Sequence, residues 1–285
     1  MTQLPTTRAR TTRTWSRTLA YGAALFGSLY LSVVAALWWD QEGLLFHPVP
    51  LPTDHRFDFG ADVHETWVEV PGARLNALHL RLPNPDGVVL FLHGNGANLE
   101  DWFTAVPSFR QANFDLFMPD YRGFGKSTGQ IESQAQLEAD VRAAWDSIAP
   151  LYRGKLRVFY GRSLGTGLAA HLAAQVQPDL TILVSPYESM EALAHEHYPW
   201  VPPALLRYPL RTNQALGRVK TPVLLFHGGR DTLIPPSHSE RLLGLLPGAT
   251  LIRVANAGHN DIHRSPTYLD GLLDALVRLA GKPGS

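Results

Sequence analysis

"RVFYGRSLGTG", residues 157–167, runs from a β-rich apolar stretch into a serine flanked by glycines, and then into small residues. Gly161-Arg162-Ser163-Leu164-Gly165 fits the pattern G-x-S-x-G, and "LGTGLAAHLAAQV" opens a small-residue helix that can pack close to a sheet. In a strand–turn–helix context this pattern holds a serine on a sharp turn, with Oγ exposed and orphan N–H groups of the helix beneath it. A plain tight turn would fit the same five residues, so the surrounding chain has to decide between the two.

That chain alternates. "ETWVEV" (65–70) and "ARLNALHLRL" (73–82) have period-2 patterning and predict an antiparallel pair turned at Pro71-Gly72. "GVVLFLHG" (87–94), "FDLFMPD" (114–120), "KLRVFYG" (155–161), "LTILVSP" (180–186), "TPVLLFHG" (221–228) and "ATLIRVAN" (249–256) are short continuous apolar runs. Such runs suit strands buried on both faces of a mostly parallel sheet. Helical patterns lie at 133–152, 237–246 and 265–280. Strands alternating with helices predict an α/β sheet covered on both sides. Residues 187–220 hold Pro199, Pro202, Pro203 and Pro209 among Tyr198, Trp200 and Tyr208. They read as a small helical lid insertion over the sheet's C-terminal edge, roofing a pocket with an apolar wall near Trp200.

A neutral serine is a poor nucleophile. It needs a base, and the base needs an orienting acid. On a sheet of this kind the order along the chain is Ser, acid, His, and the active groups sit at the carboxyl ends of strands. Asp231 follows "PVLLFHGGR" and His259 lies in "ANAGHND", each just past a strand end. Glu188 is the alternative acid. An oxyanion hole needs two donors. The N–H of Leu164 is one, and Asn95, in the loop "LHGNGAN" (92–98), supplies the other. His93 and His227 read as braces for their loops; Arg162 could lie near the pocket mouth or be solvated, and the solvated reading is favoured.

The first 40 residues differ from the rest. Residues 1–18 form a basic tail with Arg8, Arg10, Arg13 and Arg17 and no acid. Residues 19–39 are 21 uncharged positions, which as a helix would span about 31 Å, enough to cross a bilayer core. A cleaved signal peptide is the rival, with small residues at "SVVAA", but the run exceeds the usual h-region. The arginines before the span predict a cytoplasmic N-terminus and a catalytic domain, residues 44–285, across the membrane.

Composition removes several classes of function. With 25 basic and 25 acidic residues, nothing global calls for nucleic acid, and the absence of cysteine removes disulfides, thiolate nucleophiles and Cys-type zinc sites. "GFGKST" (123–128) fails as a phosphate loop because Asp120 stands where its first glycine belongs, so no nucleotide is expected. His195-Glu196-His197 places its histidines two apart, on different helix faces, so no metal is expected. No cofactor is called for.

"HGNGAN", "DYRGFGKSTG", "YGRSLGTG", "HGGRDTLIPP" and "AGHND" occur in that order, and through them the chain from about Leu44 onward resembles an α/β-hydrolase. Within that superfamily it resembles the subgroup of serine hydrolases with one N-terminal membrane anchor and a small lid. The resemblance implies a mostly parallel eight-stranded sheet and a Ser163–Asp231–His259 triad. Such enzymes act on esters, thioesters, lipids, amides or peptides, so the resemblance does not settle the substrate; a small-molecule or lipid acyl substrate is the expectation. A membrane-anchored carboxylic ester hydrolase is the favoured expectation. A peptidase of the prolyl-oligopeptidase kind is one alternative, although about 45 residues between the apolar span and the third strand leave no room for its large extra domain. A ligand-binding protein that keeps the fold without catalysis is the other.

Overall fold

The computed structural model describes residues 11–103 and 106–281. The chain divides into two compact units, Met1–Gln41 and Glu42–Ser285. The described residues of the first include the helix α1 (Thr11–Trp39), whose stretch Arg17–Trp39 is long and apolar enough to cross a membrane. The helix thus begins before the expected span of 19–39. Arg8 and Arg10 of the basic tail, and the side chain of Arg13, lie outside the described residues.

The second unit is built on one sheet. Its strands are β1 (Val63–Val70), β2 (Ala73–Leu80), β3 (Gly87–Leu92), β4 (Phe114–Pro119), β5 (Leu156–Arg162), β6 (Leu180–Val184), β7 (Val223–Gly228) and β8 (Thr250–Val254). They form an eight-stranded sheet in the order β8-β7-β6-β5-β3-β4-β2-β1. The hairpin β1–β2 and the pair β2–β4 are antiparallel, and the remaining pairs are parallel. Gly72 makes the hairpin turn with φ at +75°, a region open to glycine.

Side chains alternate across the strands and feed two core layers. Val88, Leu90 and Leu92 of β3 join one layer, and Val89 and Phe91 join the other. The first layer is covered by α2 (Gln134–Ile148) and α3 (Leu164–Val176), through residues such as Trp145 and Leu168. The second is covered by a short helix, Val106–Ala112, and further along the chain by a long one, Pro266–Leu279, through Phe109, Tyr268 and Leu272. Ser133 caps α2 by accepting the N–H of Gln136 at 3.1 Å, and Pro266 stands in the first turn of the last helix, where its missing N–H costs nothing.

The insertion at 187–220 is helical in part. It contains α4 (Met190–His197), a tight turn at Pro203–Leu205 and a short helix at Thr212–Leu216. Its base is pinned: Tyr208 is buried against Phe46, with ring centroids 5.3 Å apart, and gives its hydroxyl proton to Glu42 at 2.6 Å. Arg207 pairs with the same carboxylate at 2.8 Å. Two more helices complete the labelled set, α5 (Ser237–Gly244) and the final helix, α6 (Pro266–Leu279).

The "DYRGFGKSTG" loop after β4 is also fixed. Arg122 forms a buried pair with Asp140 of α2 and donates to the Pro71 carbonyl at 2.9 Å. Lys126 pairs with Glu65 at 2.6 Å and donates to the His55 carbonyl at 2.9 Å, so its ammonium is taken up within the domain.

Candidate active site

Gly161 and Gly165 bracket Ser163 because nothing larger fits. A Cβ on Gly165 would stand 2.0 Å from the Leu92 carbonyl oxygen, and one on Gly161 would stand 2.4 Å from the Gly165 oxygen. The first turn of α3 therefore presses directly on the end of β3. Ser163, between strand and helix, has φ 51° and ψ −119°, a backbone conformation that costs a side-chain-bearing residue on the order of 1–3 kcal/mol. Its N–H donates to the Val184 carbonyl at 2.9 Å, and its own carbonyl accepts from the N–H of Thr166 at 2.9 Å.

The residues expected to join it are there. Ser163 Oγ lies 3.0 Å from His259 Nε2, and His259 Nδ1 lies 2.7 Å from Asp231 Oδ2. A carboxylate only accepts, so the imidazole gives its Nδ1 proton to Asp231 and Nε2 is left to receive the serine's proton. Asp231 divides its oxygens between two tasks. Oδ1 accepts the N–H groups of Leu233 and Ile234, at 3.0 and 2.8 Å, while Oδ2 faces His259. Burial pushes this carboxyl's pKa up, but the contacts of His227 and His259 and the Ile234 N–H outweigh it and hold the group well below the usual carboxylate range. Glu188, the alternative acid, is engaged elsewhere, with Arg241 at 2.7 Å and Asn213 at 3.3 Å.

The loop after β3 faces the serine. A Cβ on Gly94 would lie 3.7 Å from Ser163 Cβ. Asn95 is anchored away from it by its other groups: its side-chain amide donates to Leu45 O at 3.0 Å, and its carbonyl accepts from the His47 N–H at 2.7 Å. Among the described residues no group accepts the Asn95 N–H, and the Leu164 N–H, at the start of α3, has no intrahelical acceptor. His93 braces the loop, with Nδ1 donating to Gly94 O at 2.8 Å, Nε2 lying 3.2 Å from Asp120 and the ring packed on Tyr121 at 4.2 Å. His227 is buried, 2.6 Å from Ser239 Oγ and 2.8 Å from Ile234 O. His197 contacts Leu233 O at 2.9 Å, and Glu196 pairs with Arg241 at 2.9 Å.

Arg162 departs from expectation. It is not solvated but 93% buried, because β5 ends beneath the histidine loop and the side chain has nowhere else to go. Its guanidinium donates to the His259 carbonyl at 3.1 Å, reaches His263 Nδ1 at 3.2 Å and lies 5.0 Å from the centre of the Trp102 ring. Trp102 in turn donates to Gly96 O at 2.7 Å. Sequence reasoning passed over Trp102 and His263. The signal at hand was the residue type at Asn98, which caps Leu99–Trp102 by accepting the Glu100 N–H. His263 carried no signal beyond its place four residues after His259. A cavity of about 460 Å³ opens beside this group, lined by Trp102, Arg162, His263, Tyr160 and Tyr268 among others. Trp200, expected in a pocket wall, is 48% exposed and is not part of that lining.

Known proteins resemble the chain along most of its length. The family described as "Serine aminopeptidase, S33" matches residues 83–210. A Mycobacterium tuberculosis protein described as uncharacterized is 30% identical over 259 residues, covering 86% of this chain and 89% of its own length. Alpha/beta hydrolase domain-containing protein 17B of Homo sapiens is 30% identical over 208 residues, covering 70% of each chain. The solved structure of a Pyrococcus furiosus esterase superposes with a TM-score of 0.66 at 17% identity, covering 83% of this chain and 98% of that one. A Xanthomonas campestris protein described as an a/b serine hydrolase without lid superposes with a TM-score of 0.60 at 18% identity, covering 81% and 100%. At these identities the solved structures speak to the fold alone.

The turn at Ser163 yields opposite expectations for two substitutions. Ser163→Gly removes backbone strain and should raise stability by about 1 kcal/mol. Gly165→Ala forces α3 off β3 and should lower it by roughly 1–3 kcal/mol. Urea unfolding of the full chain in a mild detergent measures both. A destabilised Ser163→Gly would show that the turn is not strained.

Proposed function

The chain belongs to the α/β-hydrolase superfamily and is a hydrolase of that fold; from that premise we propose that it is a serine hydrolase of carboxylic ester, thioester or lipid acyl bonds. The observation that carries the reading is the continuous line Ser163 Oγ–His259 Nε2, His259 Nδ1–Asp231 Oδ2, at 3.0 and 2.7 Å. Ser163 Oγ attacks the acyl carbonyl while His259 takes its proton. The N–H groups of Leu164 and Asn95 hold the oxyanion. His259 returns the proton to the leaving alcohol or thiol, and an acyl group remains on Ser163. Water, deprotonated by His259, then attacks the acyl carbon; the C–Oγ bond breaks, His259 returns the proton to Ser163 Oγ, and the acid leaves. Asp231, kept ionised by its hydrogen bonds, orients the ring and stabilises the imidazolium.

Purified full-length protein should hydrolyse 4-nitrophenyl acyl esters. Ser163→Ala and His259→Ala should each lose on the order of 10⁴–10⁶ in kcat with the fold intact. Near-normal turnover by Ser163→Ala would remove the assignment. A parallel panel of aminoacyl amides tests the peptidase alternative, which preferential amide turnover would favour.

We also propose that α1 is retained as a membrane anchor, with the hydrolase domain on the extracytoplasmic side. Four arginines precede the apolar span, and within 18 residues after Trp39 the basic residue is Arg56. Lys and Arg flanking a span concentrate on its cytoplasmic side. Protease added to intact cells or spheroplasts should digest the domain. Protection until the membrane is permeabilised would reverse the orientation.

A further inference from the structure

The cavity beside the catalytic histidine has an end whose chemistry the serine–histidine–aspartate line does not use. Its apolar side includes Phe91 and Tyr160, stacked with centroids 4.2 Å apart, and Leu269. Its polar end is rich in hydrogen-bond donors. Arg162 is a pure donor. Its contact with His263 Nδ1 at 3.2 Å makes that nitrogen the acceptor and leaves the proton of the neutral ring on Nε2. Burial first, and then the charge of Arg162, hold His263 below its usual pKa, while a hydrogen bond with the Asn260 backbone acts against them. The hydroxyls of Tyr160 and Tyr268, both fully buried, share one hydrogen bond at 2.5 Å. Whichever accepts it keeps a proton of its own, and no acceptor for that proton is found among the described residues.

The charge is equally one-sided. The guanidinium of Arg162 meets the carbonyls of His259 and Asn260, the His263 ring and the face of Trp102, and no carboxylate is in ion-pair contact with it among the described residues. Asp101 lines the cavity too, but as an exposed residue. A buried cation matched only by dipoles is a costly arrangement unless an anion completes it.

We propose that this cavity binds an oxyanion, a carboxylate or phosphate, through Arg162, His263 and the Tyr160–Tyr268 pair, with an apolar stem of the same molecule against the aromatic wall. The anion is carried either by the ester substrate or by a separate small ligand. The first source rests on the hydrolase reading above, and the second does not.

Two arms separate the sources, both using the full-length protein in detergent at constant ionic strength. In the first, 4-nitrophenyl hydrogen succinate, glutarate and adipate are compared with neutral 4-nitrophenyl alkanoates of matching length. A substrate-borne anion gives the half ester that fits the higher kcat/KM. That preference should fall by roughly tenfold or more in Arg162→Gln and fall also in Tyr268→Phe, which keeps the ring. Arg162 also holds the His259 carbonyl, so the ratio of anionic to neutral substrate, not the absolute rate, is the readout. In the second arm, thermal unfolding is followed while glutarate or inorganic phosphate is added. A free anion raises Tm of the wild type and not of Arg162→Gln, whether or not any ester is turned over. Neutral esters hydrolysed with no half-ester preference and no anion-dependent Tm would overturn this inference and leave the hydrolase reading standing. Anion-dependent Tm without turnover of any ester would do the reverse.

Discussion

The close approach of a helix to a strand end governs the site. The first turn of α3 rests on the carbonyls of Leu92 and His93, at distances only a glycine at 165 permits. That contact fixes where the chain must reverse after β5, and so where Ser163 stands and which way it points. It also brings the Leu164 N–H to the same place as the loop after β3. Backbone strain at Ser163 is the cost of this geometry, and the two packed core layers on either side of the sheet hold it in place. The loops that carry Asp231 and His259 leave the ends of β7 and β8, so the parallel sheet delivers both to the same edge without a long connection.

Much of this was legible in the sequence, for identifiable reasons. Strands buried on both faces read as unbroken apolar runs, and each such run from Gly87 to Val254 became a strand. The hairpin β1–β2 was legible through alternation and the Pro71-Gly72 turn. The order of Ser163, Asp231 and His259, each just past a strand, pointed to a group that the fold does bring together. The helices Leu99–Trp102, Val106–Ala112 and Thr212–Leu216 were not legible, because four to seven residues are too few to show a 3.6-residue period. Arg162 was misread for a related reason. Charge in a sequence suggests solvent, and only the tertiary path of the histidine loop shows carbonyls and an aromatic face waiting for the guanidinium. The aromatics of the insertion were read alike but differ: Tyr208 is buried, whereas Tyr198 and Trp200 are 57% and 48% exposed.

The electrostatics around the site are asymmetric in a way that suits its parts. Asp231 sits in a pocket of donors that keeps it ionised, with one oxygen tied to backbone and the other to the imidazole. Across the histidine loop Arg162 grips the carbonyl of the same residue that Asp231 grips by its ring. His259 is therefore held from both ends, through its backbone by a cation and through its side chain by an anion. In the reaction proposed above, a ring constrained in this way would need little reorganisation as charge develops on it, which is where electrostatic preorganisation gains over water.

The central claim is that Ser163 is the nucleophile. Incubation with a fluorophosphonate, followed by peptide mapping by mass spectrometry, tests it most directly, since the adduct is irreversible and accumulates whichever step limits turnover. The account predicts one phosphonyl group per chain, on Ser163, with ester turnover lost in proportion to labelling. Labelling at another residue, or full ester turnover by protein that carries the adduct on Ser163, would contradict it.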